Sequence, residues 1–134
     1  MAKVIHAAGK RKEAVARATA RPGKGVVRVN SIPIEQYNPE IARLRLKEPL
    51  LIAGQLAADV DIDVSVEGGG WSSQAEAARL AIAKALVSFT GSEQLKRTYL
   101  DYDRFLLVAD TRRKEPKKFG RHSRARAKRQ KSYR

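Results

Sequence analysis

The chain has 134 residues and a formal net charge of +14, with 28 Lys or Arg against 14 Asp or Glu and no cysteine. That length fits one domain of about 110 residues with an extension. The missing cysteine excludes disulfides and thiolate metal centres, and the longest apolar stretch, residues 49–58, falls far short of the roughly 20 residues a membrane span needs. The first residues, Met1-Ala2-Lys3-Val4-Ile5-His6, hold no long apolar run and read as a mature start. A soluble, cytoplasmic protein with no membrane partner is the expectation.

In chain order, residues 4–8 suggest a first short strand, and residues 9–12 a charged turn. From residue 14 to 21 the pattern has period two: Ala14, Ala16, Ala18 and Ala20 share one face, and Val15, Arg17, Thr19 and Arg21 the other. Small alanine side chains let another element approach closely. Pro22-Gly23-Lys24-Gly25 is a turn, and residues 26–29 follow as a third strand, so residues 14–29 read as a hairpin. Asn38-Pro39-Glu40 predicts a helix start, with Asn38 as cap and Pro39 at the first helical position. Ile41, Leu44 and Leu46 are expected inward, and Pro49 is expected to end the helix. Residues 59–66 alternate most cleanly, with Val60, Ile62, Val64 and Val66 on a buried face and Asp59, Asp61, Asp63 and Ser65 on a wet one.

Gly68-Gly69-Gly70 then breaks the strand, and Ser73 with Glu76 predicts a capping box opening an Ala-rich helix that runs to about Thr90. Ala78, Ile82, Ala85, Leu86 and Phe89 form its inward stripe, and Gly91 ends it. Ser92 and Glu93 open a shorter helix through about Leu100; residues 105–108 are apolar and of undefined type. The pattern predicts an α+β fold, a two-layer α/β sandwich with one mostly antiparallel sheet and helices on one face. The body is residues 1–110, and residues 111–134 are an extended basic tail.

Charge is distributed unevenly. Residues 112–134 carry twelve Lys or Arg and one acid, Glu115; residues 10–28 carry seven cations and one acid; residues 29–111 carry eight cations against twelve acids. A segment as charged as the tail repels itself and needs a polyanion, which in a cell is foremost nucleic acid. Arg outnumbers Lys in it seven to five, and the Arg fork holds phosphate bidentately and stacks on bases. Phe119, His122 and Tyr133 add rings able to stack on unpaired bases. Arg17 and Arg21, opposite the alanines, offer a rigid row of cations that lose little entropy on docking.

Other chemistries fail on spacing. Gly68-Gly69-Gly70 lacks the Lys-Ser/Thr of a phosphate-binding loop and the G-x-G-x-x-G pattern. Asp59-x-Asp61-x-Asp63 places Val64 where a calcium loop requires Gly, and Gly70 where it requires Glu. With two histidines, His6 and His122, and no nucleophile–base–acid grouping, nothing points to catalysis, a cofactor or a metal.

Four segments in order resemble one family. Gly9-Lys10-Arg11-Lys12-Glu13-Ala14-Val15-Ala16-Arg17 is similar to a G-x-R-K-x-A-V-A-R opening. Gly23-Lys24-Gly25-Val26-Val27-Arg28-Val29-Asn30, with Tyr37 following, is similar to a G-x-G-x-x-x-V-N segment. Gly68-Gly69-Gly70-Trp71-Ser72-Ser73-Gln74-Ala75-Glu76-Ala77-Ala78-Arg79 resembles G-G-G-x-x-G-Q-x-x-A-x-R, with Ser73 in place of a Gly, and residues 110–134 resemble the basic ending. The family is small-subunit ribosomal protein nine, and the Ser132-Tyr133-Arg134 ending resembles its archaeal and eukaryotic branch. The resemblance implies a fold shared with the C-terminal domain of ribosomal protein five, with a left-handed β-α-β crossover. It implies a non-catalytic constituent of the small subunit bound to rRNA in the head, among neighbouring head proteins and not as a free homo-oligomer. The rRNA-binding set expected on this chain is Lys10, Arg11, Lys12, Arg17, Arg21, Arg28, Gly69, Gly70, Arg112, Arg113, Lys114, Lys117, Lys118, Arg121, Arg124, Arg126, Lys128 and Arg129. The tail tip, Lys131, Ser132, Tyr133 and Arg134, is implied to reach the anticodon arm of the peptidyl-site tRNA.

Overall fold

Two alternating segments build the middle of a five-stranded sheet. In a computed structural model that describes residues 2–122 and 124–126, the elements in chain order are β1 (Ile5–Arg11), β2 (Ala14–Pro22), β3 (Val27–Val29), β4 (Ile32–Pro33), α1 (Glu40–Ala53), the single turn α2 (Gln55–Ala58), β5 (Val60–Glu67), α3 (Trp71–Thr90) and α4 (Glu93–Tyr102). The strand order is β1-β2-β5-β3-β4; β3 and β5 are parallel and the other neighbours antiparallel.

The sheet buries one face. Ala14, Ala16, Ala18 and Ala20 of β2, and Val60, Ile62, Val64 and Val66 of β5, lie in the core with Val27 and Val29. Their neighbour is α3, whose Ala75, Ala78, Ile82, Ala85 and Leu86 meet them while Phe89 is half-buried. Alanine against alanine is what lets α3 lie so close to the strands. α1 packs across α3, and α4 packs against both. With helices on the buried face alone, the layers number two, as the alternation predicts.

Several local expectations are corrected. The first strand runs on through Arg11, and the reversal falls at Lys12–Glu13, with Lys12 at φ 53°. Gly9 is therefore mid-strand, beneath α3: a Cβ there would lie 2.3 Å from the Ala77 carbonyl oxygen. Residues 14–29 are not a hairpin, because β5 inserts between β2 and β3. Sequence adjacency cannot reveal that a distant Val/Ile strand competes for the same edge.

Pro39 sits at the cap of α1 and not inside it, and no side chain caps that end. Pro49 lies within the helix, which continues to Ala53. The ring forgoes one backbone bond, while its own carbonyl accepts a hydrogen bond from Tyr99 Oη at 2.7 Å. The buried stripe of α1 is Ala42, Leu46, Pro49 and Ala53, and Ile41 and Leu44 are 58% and 56% exposed. Helical period, not side-chain size, decides which face turns inward. At the start of α3, Ser73 Oγ accepts from Gly70 N at 3.2 Å and donates to the Gly70 carbonyl, so Glu76 is left for other partners.

Candidate nucleic-acid interface

The cations expected to bind RNA fall at three places: the open sheet face, the β1–β2 turn, and the basic C-terminal segment. On the open face, Arg17 and Arg21 of β2 and Arg28 of β3 are all exposed. β5 runs between those strands, and Asp63 stands opposite both Thr19 and Arg28. Arg17, Thr19, Arg28, Asn30, Asp63 and Ser65 line one broad groove. The face is thus arginine-bearing with an acidic member at its centre, a mixture suited to phosphates and hydroxyls together.

Asp61 has an internal task. Its carboxylate accepts from Val26 N at 2.9 Å and Lys24 N at 2.8 Å. These backbone donors, Val26 first, hold its pKa below the ordinary carboxylate value. A Cβ on Gly23 would lie 2.0 Å from the Asp61 carboxyl carbon, so a larger residue there would push the carboxylate off its backbone donors. Asn30, at φ 49°, uses its amide as a strand substitute: Oδ1 accepts from Val66 N at 2.9 Å, and Nδ2 donates to the Val66 carbonyl at 3.2 Å.

At the β1–β2 turn, the expected cations divide. Lys10 and Lys12 are exposed. Arg11 is not free: its side chain is only 15% exposed, with Nε 3.0 Å from Glu76 and Nη2 3.6 Å from Asp110. Its Nη1 also donates to the Arg112 carbonyl at 2.8 Å. Glu76 takes Arg45 as a second partner, and Asp110 takes Arg112 with Nη2 at 2.7 Å. The result is one alternating chain, Arg45–Glu76–Arg11–Asp110–Arg112, joining α1, α3 and β1 to the root of the basic segment. The hydrogen bonds from Arg112, with Arg11 nearby, hold the Asp110 carboxyl well below the ordinary carboxylate range. Beside it, Arg79 pairs with Glu48 at 2.5 Å and Asp103 at 3.1 Å. Arg113 completes the docking by donating to the Lys12 carbonyl at 2.7 Å and meeting Glu13 at 3.2 Å.

Further along, Lys114, Lys117, Lys118, Arg124 and Arg126 are exposed and Arg121 is half-buried. Glu115 holds Arg126 at 2.9 Å and Lys118 at 3.7 Å, closing a loop with the bond from Lys118 N to the Arg124 carbonyl. Lys128, Arg129, Lys131, Ser132, Tyr133 and Arg134 lie outside the described residues. Of the two glycines, Gly69 is packed, since a Cβ would lie 3.1 Å from Ala14 N, whereas Gly70 has open space around it. Among the described residues no group of three His, Cys, Asp or Glu is placed to hold a metal, and no helix is long and apolar enough to cross a membrane.

The family model for ribosomal protein S9/S16 matches residues 9–134. The chain belongs to that family. It is 50% identical over 133 residues, 98% of this chain and 99% of the relative, to the small ribosomal subunit protein uS9 of Methanococcus maripaludis (strain C5). The uS9 protein of Methanococcus vannielii is equally similar, 50% over 133 residues. The ribosomal S9/S16 family is a structural, non-enzymatic one. In this member of the S9/S16 family, sequence reading missed Glu76 and Asp110 as organisers of the interface. Glu76 carried a visible but misleading signal, its spacing from Ser73. Asp110 carried no signal towards Arg11, which lies about a hundred residues away in the chain.

Proposed function

We propose that the protein is a structural constituent of the small ribosomal subunit, working in the cytoplasm, that binds rRNA in the head and contacts peptidyl-site tRNA through its C-terminal tip. The observation that carries this reading is the family match through the last residue, taken with the twelve Lys or Arg of residues 112–134. Residues 1–110 form the body in this reading, and residues 111–134 the tail. Arg17, Arg21 and Arg28 on the open sheet face and Lys10 near the end of β1 supply cations held on rigid strands, and Lys12 adds one in the β1–β2 turn. Lys114, Lys117, Lys118, Arg121, Arg124, Arg126, Lys128 and Arg129 supply the shared phosphate neutralisation. Ile41, Leu44 and Leu51, exposed along α1, supply apolar surface for neighbouring head proteins. The parallel unit β3–α1–β5 is the crossover whose left hand the family resemblance implies.

Lys131, Ser132, Tyr133 and Arg134 are the tRNA-contacting tip. Deleting these four residues is expected to leave small-subunit assembly intact and to weaken tRNA binding in the peptidyl site several-fold, measured by filter binding to purified subunits. Unchanged tRNA affinity would sink the assignment of the tip. A sedimentation profile in which the chain travels apart from small subunits at moderate salt would sink the ribosomal role itself, leaving a free-standing DNA-binding protein as the rival.

A further inference from the structure

The turn between β5 and α3 lies directly on the β1–β2 turn. Gly68 and Gly69 have φ of 76° and 65°, and a Cβ on Gly68 would lie 2.5 Å from the Glu13 carbonyl oxygen. This approach brings Trp71, the first residue of α3, and Lys12 to the walls of one groove of about 220 Å³, with Gly70, Ser72, Ser73 and the Arg11–Glu76 pair. Trp71 is the chain's only tryptophan and is 50% exposed. Exposure alone is ordinary for a single apolar side chain; what sets Trp71 apart is the groove it shares with a cation.

The surroundings say which ligand. Arg11 is bound by Glu76 and Asp110, and Glu76 is bound by both Arg11 and Arg45. Lys12 has no ion pair among the described residues; its backbone carbonyl, not its ammonium, takes the Arg113 guanidinium. The groove therefore offers an indole face, an unpaired cation, hydroxyls and no unneutralised carboxylate. An apolar protein partner would meet Arg11, Lys12, Ser72, Ser73 and Glu76 in the same groove. A nucleotide matches each part: a flat ring for the indole, a phosphate for Lys12.

We propose that Trp71 is a stacking platform for one unpaired base of RNA, with Lys12 neutralising an adjoining phosphate. The inference rests on the rRNA-binding reading above, and assigns to it a residue that charge does not reveal. Base–aromatic stacking tolerates any base, because every base has a π-face. The site therefore adds affinity for single-stranded RNA over duplex without selecting a sequence.

The single tryptophan reports on its own occupancy. The full-length protein is titrated with a short single-stranded oligoadenylate, and with an abasic oligomer of the same length, each end-labelled so that anisotropy records binding. Both are expected to bind, and only the oligoadenylate is expected to quench the indole fluorescence. Trp71→Ala is expected to bind oligoadenylate about tenfold more weakly, with Trp71→Phe close to the parent. Neither change is expected to move abasic binding, whereas Lys12→Gln weakens both oligomers. Binding without base-dependent quenching, or oligoadenylate affinity unchanged in Trp71→Ala, overturns the stacking site and leaves RNA binding standing. Failure of both oligomers to bind overturns the RNA reading and the stacking site together.

Discussion

Single residues carry the tightest constraints where the backbone of one element touches another. Gly9 is the sharpest case, since any Cβ meets the carbonyl oxygen of Ala77 and the amide of Ala81. Gly9→Ala is expected to destabilise the fold by about 1–3 kcal/mol in urea denaturation, through forced separation of β1 from α3. Gly70→Ala, with nothing within 4 Å and φ of −104°, is expected to stay within about 0.5 kcal/mol. Tyr99 is a second fixed point, fully buried with its hydroxyl on the Pro49 carbonyl. Tyr99→Phe removes that bond, while the carbonyl keeps its place in the α1 ladder, and is expected to lose about 1 kcal/mol. Burial raises the Tyr99 pKa, so the folded chain keeps a proton that the unfolded chain releases. Its contribution is full below the ordinary tyrosine value of about 10 and is lost as pH rises towards the raised folded value. The alkaline decline in stability above pH about 10 is expected to be shallower in Tyr99→Phe.

Between elements, the alternating chain from Arg45 to Arg112 does what no single pair does: it fixes where the basic segment leaves the body. Exposed ion pairs contribute little alone, but Arg11 and Asp110 are largely shielded, and the Asp110 carboxylate also accepts from Arg112 N at 3.0 Å. Asp110→Asn is expected to raise the hydrogen-exchange rate of the Arg112 amide several-fold while the midpoint of global unfolding hardly moves. The Asp110 pKa is depressed in the fold, so the clasp is present above the ordinary carboxylate range and is lost as pH falls through the depressed value. Protection of that amide is expected to persist at pH 4 and to disappear only at stronger acid. Much of this was legible and much was not. The faces of β2, β5 and α3 follow from period alone, because burial of one face demands it. The inward face of α1 was misjudged by favouring Ile41 and Leu44 over Ala42 and Ala53. The partners of Glu76 were hidden, since a local capping role and a distant ion pair share the same spacing.

For the whole molecule, the charge of the basic segment sets the expected binding to a polyanion. If about eight cations of the basic segment meet phosphates of single-stranded RNA, the slope of log K against log salt is expected to be about −6. Truncation after residue 111 leaves Lys10, Lys12, Arg17, Arg21 and Arg28, and is expected to reduce the slope to about −3.5 for five contacts. Both are measurable with one rRNA fragment over a salt series. A slope that survives truncation would place the affinity on the body instead of the segment.

By itself the sequence pointed to the class of partner and the family, and determined the buried faces of β2, β5 and α3. Each of those depends on composition or on spacing within one segment, and such quantities are complete in the linear chain. Only the tertiary structure decided that β5 separates β2 from β3, that Arg11 is held internally while Lys12 has no ion pair among the described residues, and that Trp71 comes to lie at the same groove as Lys12. Those facts depend on which segments meet across about thirty-five to a hundred residues of chain, and that is settled by competition for buried surface and for charge partners over the whole fold.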